Sequence, residues 1–446
     1  MNILIIADYY PPINSVASVR LAKLVKYLSR RSDFSITVAY RKPRAFELID
    51  TGLLHDVEHA DKNIPVSDGL FFRIGFYALA ILRKSKRSAG RRKDDSGRIE
   101  GQIGSTKGFH SIVDRMYRAA FTSYANRVKK RIAKLNTKYD VVISSYPQES
   151  SVLIGNFVKC RQIAKHWICD LRDPIRSNDG TGYIAPGIGN KLLQECLSMA
   201  ATNADFIVGV CESCLAGLGD RKADCRIITN GFDRDDINDI TYDPDKKFSL
   251  AYAGTLYESK QDLRTILRAL SELINEGLIK KYDVKLGYAG ASSFIFSKWA
   301  EEYSLTDIAE VRGLLTRTEA LKLQLGSSML MHASYRGTDL ENDLASKIYE
   351  YMLISKPVIS AVSGNLAGSQ AKEIIEEANI GIACEAVSGE TDYLRLKEYI
   401  LMQYERWKNG ESLEYLPNTK YVEEFNYKNI TQKYADLIVT VCKDTV

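Results

Sequence analysis

Short apolar runs alternate with amphipathic stretches along most of the chain. The run Ile3 to Ala7 is continuously apolar, as is typical of a buried parallel strand. Apolar residues then recur at helical spacing from about Ser18 to Ser29. Further strands are predicted at 34–39, 140–144, 164–170, 205–210 and 225–230. This alternation predicts a doubly wound parallel sheet, whose ligands bind at the carboxyl ends of the strands.

A second set of elements with the same pattern begins after a polar segment, Thr241 to Lys247, that reads as a linker. Its predicted strands are 248–255, 282–288, 329–332, 357–360 and 380–383, with a helix at 371–378. We therefore predict an α/β protein with two Rossmann-like domains, 1–240 and 241–430, that face each other across a cleft. A last helix within 431–446, from about Thr431 to Cys442, is expected to pack back on the first domain.

Length and composition agree with two ordinary globular domains. The chain has 446 residues, 45% of them hydrophobic and 26% charged, and its formal net charge of +5 is too small to indicate nucleic acid as the main partner. The start, Met1 to Asp8, has no basic region or cleavage site and reads as a strand rather than a signal peptide. No apolar run reaches the roughly 18 residues needed to span a bilayer.

The eight cysteines are scattered. Cys211 and Cys214 have metal-ligand spacing, but no second Cys or His pair follows at zinc distance. We therefore expect free thiols in a reducing cytoplasm and no bound metal. No cofactor is expected either.

An insertion of about 61–111 interrupts the alternation in the first domain. Residues 70–82 are strongly apolar, and residues 83–93 carry seven basic side chains and no acidic one. Such a segment suits the interface of an anionic membrane, which indicates peripheral contact with the inner face of the cell membrane through residues 70–93. A buried helix followed by a solvated linker is the alternative.

The most informative stretch surrounds Lys347 and Glu350. Ser346 can cap a helix that begins with Lys347, where a cation is unfavourable unless the free N–H groups and the ammonium together bind a phosphate. Glu350 lies on the same helix face, and its carboxylate can accept both hydroxyls of a ribose. The pattern predicts a nucleotide site, with an ordinary i,i+3 ion pair as the alternative.

Three other positions carry candidate chemistry. Gly254 and Thr255 follow a predicted buried strand, where backbone N–H groups can approach a phosphate. Asp170, Arg172 and Asp173 end a strand of the first domain, so their charges face the predicted cleft unless they bridge among themselves. Arg20, on the first helix, is either a cleft residue or a surface charge.

Two segments resemble a known family, the retaining GT-B glycosyltransferases of the family 4 type. The stretch from Ser346 to Pro357 is similar to their donor-site helix, in which the glutamate holds the nucleotide ribose, a role that falls on Glu350. Asn342 stands where many members have a second acidic residue, and Asn14 and Ser15 replace a glycine pair. In the phosphate loop, Thr255 replaces the usual arginine, and Lys260 resembles the second basic residue.

The stretch from Trp167 to Pro174 resembles the bacterial branch of this family that makes capsule, O-antigen or exopolysaccharide. By this resemblance, Arg172 and Asp173 orient acceptor hydroxyls or the donor sugar, with Asp170 in the same motif. The resemblance implies a metal-independent retaining enzyme that transfers a sugar from a UDP- or GDP-type donor to an acceptor. The implied acceptor is a lipid-linked glycan. A nucleotide-sugar 2-epimerase and a non-catalytic nucleotide-sugar-binding partner remain alternatives. A dehydrogenase does not, because no Gly-x-Gly-x-x-Gly opens either domain.

Overall fold

The computed structural model describes residues 1–45, 47–69, 107–173, 189–216, 218–219, 221–258, 260–338, 340–343 and 347–443. The chain divides into two compact units. Unit 1 comprises Met1–Thr229 and Thr431–Val446, and unit 2 comprises Asn230–Ile430.

Unit 1 is built on a seven-stranded parallel sheet in the order β3-β2-β1-β4-β5-β6-β7. Its strands are β1 (Asn2–Ala7), β2 (Ser35–Arg41), β3 (Lys62–Val66), β4 (Tyr139–Tyr146), β5 (Ala164–Leu171), β6 (Phe206–Gly209) and β7 (Asp224–Ile227). The central strands are buried on both faces, which explains their unbroken apolar runs. Trp167 is fully buried, and its indole Nε1 donates to Ser144 Oγ over 2.8 Å.

Helices cover this sheet. They are α1 (Val16–Leu28), α2 (Leu54–Val57), α3 (Lys107–Lys134), α4 (Glu149–Cys160), α5 (Asn190–Asn203), α6 (Ser213–Ala216) and the larger part of the last helix, α14 (Tyr427–Lys443). The first helix begins where Ser15 Oγ accepts from the backbone N–H of Ser18, an ordinary N-cap.

Unit 2 has a six-stranded parallel sheet in the order β10-β9-β8-β11-β13-β14, with β12 antiparallel to β11. Its strands are β8 (Phe248–Ala253), β9 (Val284–Ala289), β10 (Ala309–Val311), β11 (Met329–Gly337), β12 (Leu340–Asp343), β13 (Val358–Gly364) and β14 (Gly381–Glu385). Its helices are α7 (Arg264–Asn275), α8 (Ser293–Glu302), α9 (Arg317–Gly326), α10 (Lys347–Ile354), α11 (Gln370–Glu377), α12 (Gly389–Lys408) and α13 (Thr419–Glu423).

Each sheet has a point where the strand order reverses. In unit 1 this point lies between β1 and β4, and in unit 2 it lies between β8 and β11. Such switch points open a crevice at the carboxyl ends of the strands, where open α/β sheets bind their ligands. The predicted fold class, two Rossmann-like parallel-sheet domains, is confirmed.

The units divide at Thr229 and Asn230, about ten residues before the predicted boundary at 240. Phe232 accounts for the difference, because its side chain is buried in the core of unit 2 and its backbone N–H donates to Phe425 O over 2.9 Å. The residues 241–247, predicted as a linker, therefore follow a segment already bound to unit 2.

Part of the predicted insertion belongs to the sheet. Lys62–Val66 forms the edge strand β3, parallel to β2, and the long helix α3 begins at Lys107. The apolar and basic segment 70–93 lies outside the described residues. Within the part of the chain that the structure describes, no helix is long and apolar enough to cross a bilayer.

Candidate active site

The strand-order switch of unit 2 carries the predicted nucleotide residues. Gly254 directly follows β8, on one side of the switch, and helix α10 begins at Lys347, after β11 and β12 on the other side. Ser346, the predicted cap, lies outside the described residues. The structure therefore brings Gly254 and Lys347 together at the edge where a parallel sheet binds ligands.

Contact between Gly254 and Lys347 is close. A Cβ added to Gly254 would lie 2.6 Å from Cε of Lys347, so the lysine side chain passes directly over the glycine. Gly254 also packs against Gly290, whose added Cβ would meet Gly254 O at 2.0 Å. Glycine at 254 thus leaves room for the ammonium group beside the backbone of the loop after β8.

Glu350 is held by three side chains. Its Oε1 accepts from Gln324 Nε2 over 2.9 Å and from Lys347 Nζ over 3.4 Å. Its Oε2 accepts from Arg317 Nη1 over 3.3 Å. Arg317 is in turn fixed by Asp236, to which its Nη2 donates over 2.8 Å.

The charges around Glu350 determine its ionisation. Burial by itself raises the pKa of this carboxyl, but the positive charges of Lys347 and Arg317, with the hydrogen bond from Gln324, outweigh burial and lower the pKa to about 2. Glu350 is therefore a carboxylate throughout the physiological range, and it acts as a hydrogen-bond acceptor rather than as an acid.

The other predicted residues of the phosphate loop lie nearby in sequence but differ in exposure. Thr255 is exposed, and its backbone carbonyl accepts from Tyr252 Oη over 3.0 Å. Lys260 is half-buried, with Nζ 5.7 Å from the centre of the Tyr335 ring. Lys260 thus holds its charge over an aromatic face, an arrangement that favours a fixed cation.

Asp170 and Arg20 form a buried ion pair in unit 1. Both side chains are fully buried, and Arg20 Nη2 lies 3.0 Å from Asp170 Oδ1. Tyr434 Oη and Ser145 Oγ also donate to Asp170, over 2.6 Å and 2.7 Å. Burial raises the pKa of Asp170, but the charge and hydrogen bonds of Arg20 and the hydrogen bond from Tyr434 lower it further than burial raises it.

Arg20 also donates to backbone carbonyls, from Nη1 to Thr229 O over 2.6 Å and from Nη2 to Ile228 O over 2.9 Å. Since its side chain is fully buried, Arg20 is not a surface charge on its helix. These contacts give Arg20 and Asp170 a structural role, and a role of either in substrate binding stays a prediction.

Arg172 and Asp173 lie just beyond β5. Arg172 is buried, and its Nε donates to Tyr146 O over 2.9 Å. Its Nη2 is also buried and has no hydrogen-bond partner among the described residues. Asp173 is exposed. The structure therefore places a buried guanidinium next to an exposed acidic residue.

Sequence reasoning missed Arg317 and Gln324, which bind Glu350. Thr316 and Glu319 form a capping box at the start of α9, so Arg317 occupies the first helical position. A cation at a helix start is the same local irregularity that singled out Lys347, and it would have identified Arg317 as well. Gln324 carries no comparable signal.

Solved structures share this architecture. The chain is similar to the Anabaena protein HepE, which was solved in complex with UDP and glucose. The two are 13% identical, the match covers 98% of this chain and 99% of that chain, and the TM-score is 0.54. Sucrose-phosphate synthase from Thermosynechococcus elongatus is 13% identical with all of both chains covered and a TM-score of 0.60. A putative UDP-N-acetylglucosamine 2-epimerase from Listeria monocytogenes is 12% identical, with 100% and 97% covered and a TM-score of 0.53.

No family model matches the chain, and no curated protein matches it. At such low identity, the structural likenesses establish the fold alone, which is the GT-B fold.

Proposed function

We propose that the protein is a retaining glycosyltransferase that transfers a sugar from a nucleotide-sugar donor to a glycan acceptor. One observation carries the proposal: at the strand-order switch of unit 2, the Lys347 side chain crosses Gly254 while Glu350, one turn later, is held ionised by Arg317 and Gln324. An ammonium beside the free N–H groups of a helix start binds a diphosphate, and the carboxylate binds ribose hydroxyls.

The same groups supply the electrostatic part of catalysis. As the bond between sugar and diphosphate breaks, negative charge grows on the leaving phosphate. Lys347, the first N–H groups of α10 and Lys260, in the segment after β8, stabilise that charge without a metal ion. A dedicated nucleophile is not required if the departing phosphate assists the attack on the same face of the sugar.

Acceptor binding is assigned to unit 1. Arg172 keeps a buried Nη2 without a partner among the described residues, and Asp173 presents an exposed carboxylate. The guanidinium and the carboxylate suit the orientation of acceptor hydroxyls. Asp173→Ala should therefore lower turnover at least tenfold with little change in donor affinity, and unchanged turnover would move the acceptor site elsewhere.

The donor class is tested by a thermal-shift and calorimetric screen of UDP, GDP, ADP and CMP. A ligand that binds only the native state stabilises it by mass action and so raises the unfolding temperature. At a ligand concentration 100 times Kd, the free energy of unfolding rises by about 2.7 kcal/mol. We expect UDP or GDP to stabilise the protein, and CMP, with a single phosphate, to do so least. No stabilisation by any nucleoside diphosphate would contradict the proposal.

An epimerase is the second candidate, because the Listeria structure shows that the same fold is found in a putative 2-epimerase. Product analysis separates the two. An epimerase converts the nucleotide sugar without an acceptor, whereas a transferase releases nucleoside diphosphate only when an acceptor glycan is supplied. Tight nucleotide binding without turnover under either condition would instead indicate a non-catalytic partner.

We also propose that residues 70–93 bring the enzyme to the inner face of the cell membrane, where a lipid-linked acceptor is found. The basic cluster would bind anionic headgroups next to the inserted apolar residues. Flotation with vesicles that contain anionic lipid should recover the full chain but not a variant lacking residues 70–93. Equal flotation of both proteins would remove this part of the proposal.

A further inference from the structure

The turn after β6 brings two thiols together. Sγ of Cys211 lies 3.4 Å from Sγ of Cys214, and the backbone N–H of Cys214 donates to Cys211 O over 3.1 Å. A disulfide joins sulfur atoms about 2.05 Å apart, so the two sulfur atoms are neighbours that must move closer to bond. The spacing that suggested a metal has no second ligand pair in the sequence, and the geometry favours sulfur chemistry instead.

The two thiols are not equivalent. The hydrogen bond between the two thiols lowers the pKa of Cys211, as does the contact of its sulfur with Ser213 Oγ at 3.1 Å, although burial opposes both. The same hydrogen bond and burial raise the pKa of Cys214. Cys211 is 6% exposed and Cys214 is 0% exposed, so an external reagent meets Cys211 first. The thiolate is the reactive form of cysteine, which assigns the attacking role to Cys211.

We propose that Cys211 and Cys214 form a reversible intramolecular disulfide by exchange with a small disulfide of the glutathione type. The Cys211 thiolate attacks one sulfur of the small disulfide, which forms a mixed disulfide and releases one thiolate. Cys214 then loses its proton to solvent and attacks Cys211 Sγ, which closes the bridge and releases the second thiolate. Two protein thiols are oxidised, and one small disulfide is reduced to two thiols.

The bridge would lie beside the residues that follow β5. The backbone N–H of Val210 donates to Leu171 O over 3.1 Å, so the turn that carries the cysteines is tied to the strand end before Arg172. The site belongs to unit 1 and is independent of the nucleotide residues of unit 2. The inference therefore does not depend on the proposed function.

The full-length protein is equilibrated in buffers of increasing oxidised-to-reduced glutathione ratio, and remaining thiols are then blocked with N-ethylmaleimide. Cleavage after glutamate separates the two cysteines, because Glu212 lies between them. We expect two linked peptides, one with Cys211 and one with Cys214, whose amount rises with the ratio and disappears after dithiothreitol. Fragmentation of the linked pair excludes a bond to Cys196 or Cys225, which lie on the same peptides.

Three variants sharpen the test. Cys225→Ser, on β7, should leave the linked peptides unchanged. Cys214→Ser should trap a glutathione adduct on Cys211. In Cys211→Ser, the glutathione adduct on Cys214 should be several-fold less abundant than the adduct on Cys211 in Cys214→Ser. The decisive measurement uses the unaltered protein at glutathione ratios at which the exposed Cys160 becomes glutathionylated. If Cys211 and Cys214 both carry N-ethylmaleimide at those ratios, the proposal is overturned. That result does not depend on the folding of any variant.

Discussion

The acceptor capacity of Glu350 leaves room for a ligand beside its ion pairs. A carboxylate offers about four acceptor positions, and Gln324, Arg317 and Lys347 occupy three of them. The contact with Lys347, at 3.4 Å, is the longest. A nucleotide would draw the ammonium to its phosphates, which opens a second acceptor position for the other ribose hydroxyl. Under the proposed function, the ion pair and the nucleotide site are two states of the same residues.

Replacing this carboxylate tests its role directly. Glu350→Gln keeps the shape of the side chain but loses its charge, so a hydrogen bond from ribose becomes a weaker neutral one. We expect a tenfold or greater rise in Kd for UDP or GDP by calorimetry, in line with about 1.5–3 kcal/mol for hydrogen bonds to charged groups. Glu398→Gln, the same change at an exposed position of α12, is the control. Equal affinities of the two variants would remove Glu350 from the site.

Asp170 lies in a buried ion pair, so we expect its replacement to lower the stability of unit 1. Asp170→Asn leaves the fully buried charge of Arg20 without its partner, and breaking a buried pair in this way costs about 3–5 kcal/mol. We expect a large fall in the urea midpoint of the transition that reports unit 1. Asp224→Asn, on an exposed side chain of β7 in the same unit, should change stability by less than about 0.5 kcal/mol. A stable Asp170→Asn protein that has lost turnover would instead support the catalytic role predicted from sequence.

At the scale of elements, buried parallel strands could be predicted from the sequence, whereas the edge strand β3 could not. Ile3 to Ala7 was predicted because burial on both faces demands a continuous apolar run, and β1 spans Asn2–Ala7. Lys62–Val66 was missed because this edge strand buries only Ile64 and Val66, with a proline between them. Contacts such as Tyr434 to Asp170, 264 residues apart, depend on how helices dock and leave no local pattern. Pairing within one helix, as at Lys347 and Glu350, does leave such a pattern.

The start of α4 predicts how stability depends on pH. Burial raises the pKa of Glu149 to about 7 and the nearby Asp8 charge adds to the rise, against a lowering by the hydrogen bond from Tyr117. Because the native carboxyl keeps a proton that the unfolded chain releases above 4.5, its contribution to stability is complete below that pH. The contribution is lost as the pH rises from 4.5 through about 7, at about 1.4 kcal/mol per pH unit.

Glu149→Gln keeps an acceptor for Tyr117 and cannot ionise. The variant should match the unaltered protein in urea stability at pH 4.5 and exceed it at pH 7.5. Burial also raises the pKa of Asp8, to about 6, and this contribution has the same sign, so some loss of stability with rising pH should persist in the variant. Parallel pH profiles of the two proteins would show that Glu149 does not titrate as the structure indicates.

At the scale of the whole molecule, the two units repeat one architecture, but different charged groups flank the two switch points. The switch of unit 2 presents the Lys347 ammonium and a helix start. The switch of unit 1 is flanked by Asp8 after β1 and by Glu149 after β4, both buried carboxyls. An anionic diphosphate is attracted by the first and repelled by the second whenever those carboxyls are ionised. For the proposed donor, this difference favours unit 2, although both sheets offer a crevice.

Hydrogen exchange of the full chain, with and without saturating UDP or GDP, tests that assignment. A bound diphosphate accepts hydrogen bonds from the first N–H groups of α10 and from the loop after β8, so peptides covering 252–256 and 347–354 should exchange several-fold more slowly. Peptides from β1 and β4 should keep their rates, and Glu350→Gln at the same nucleotide concentration should show weaker protection. Slower exchange confined to the segments after β1 and β4 would place the nucleotide in unit 1. In that case the charges of Lys347 and Glu350 would be a structural pair only, since a diphosphate cannot occupy their helix start without protecting its N–H groups.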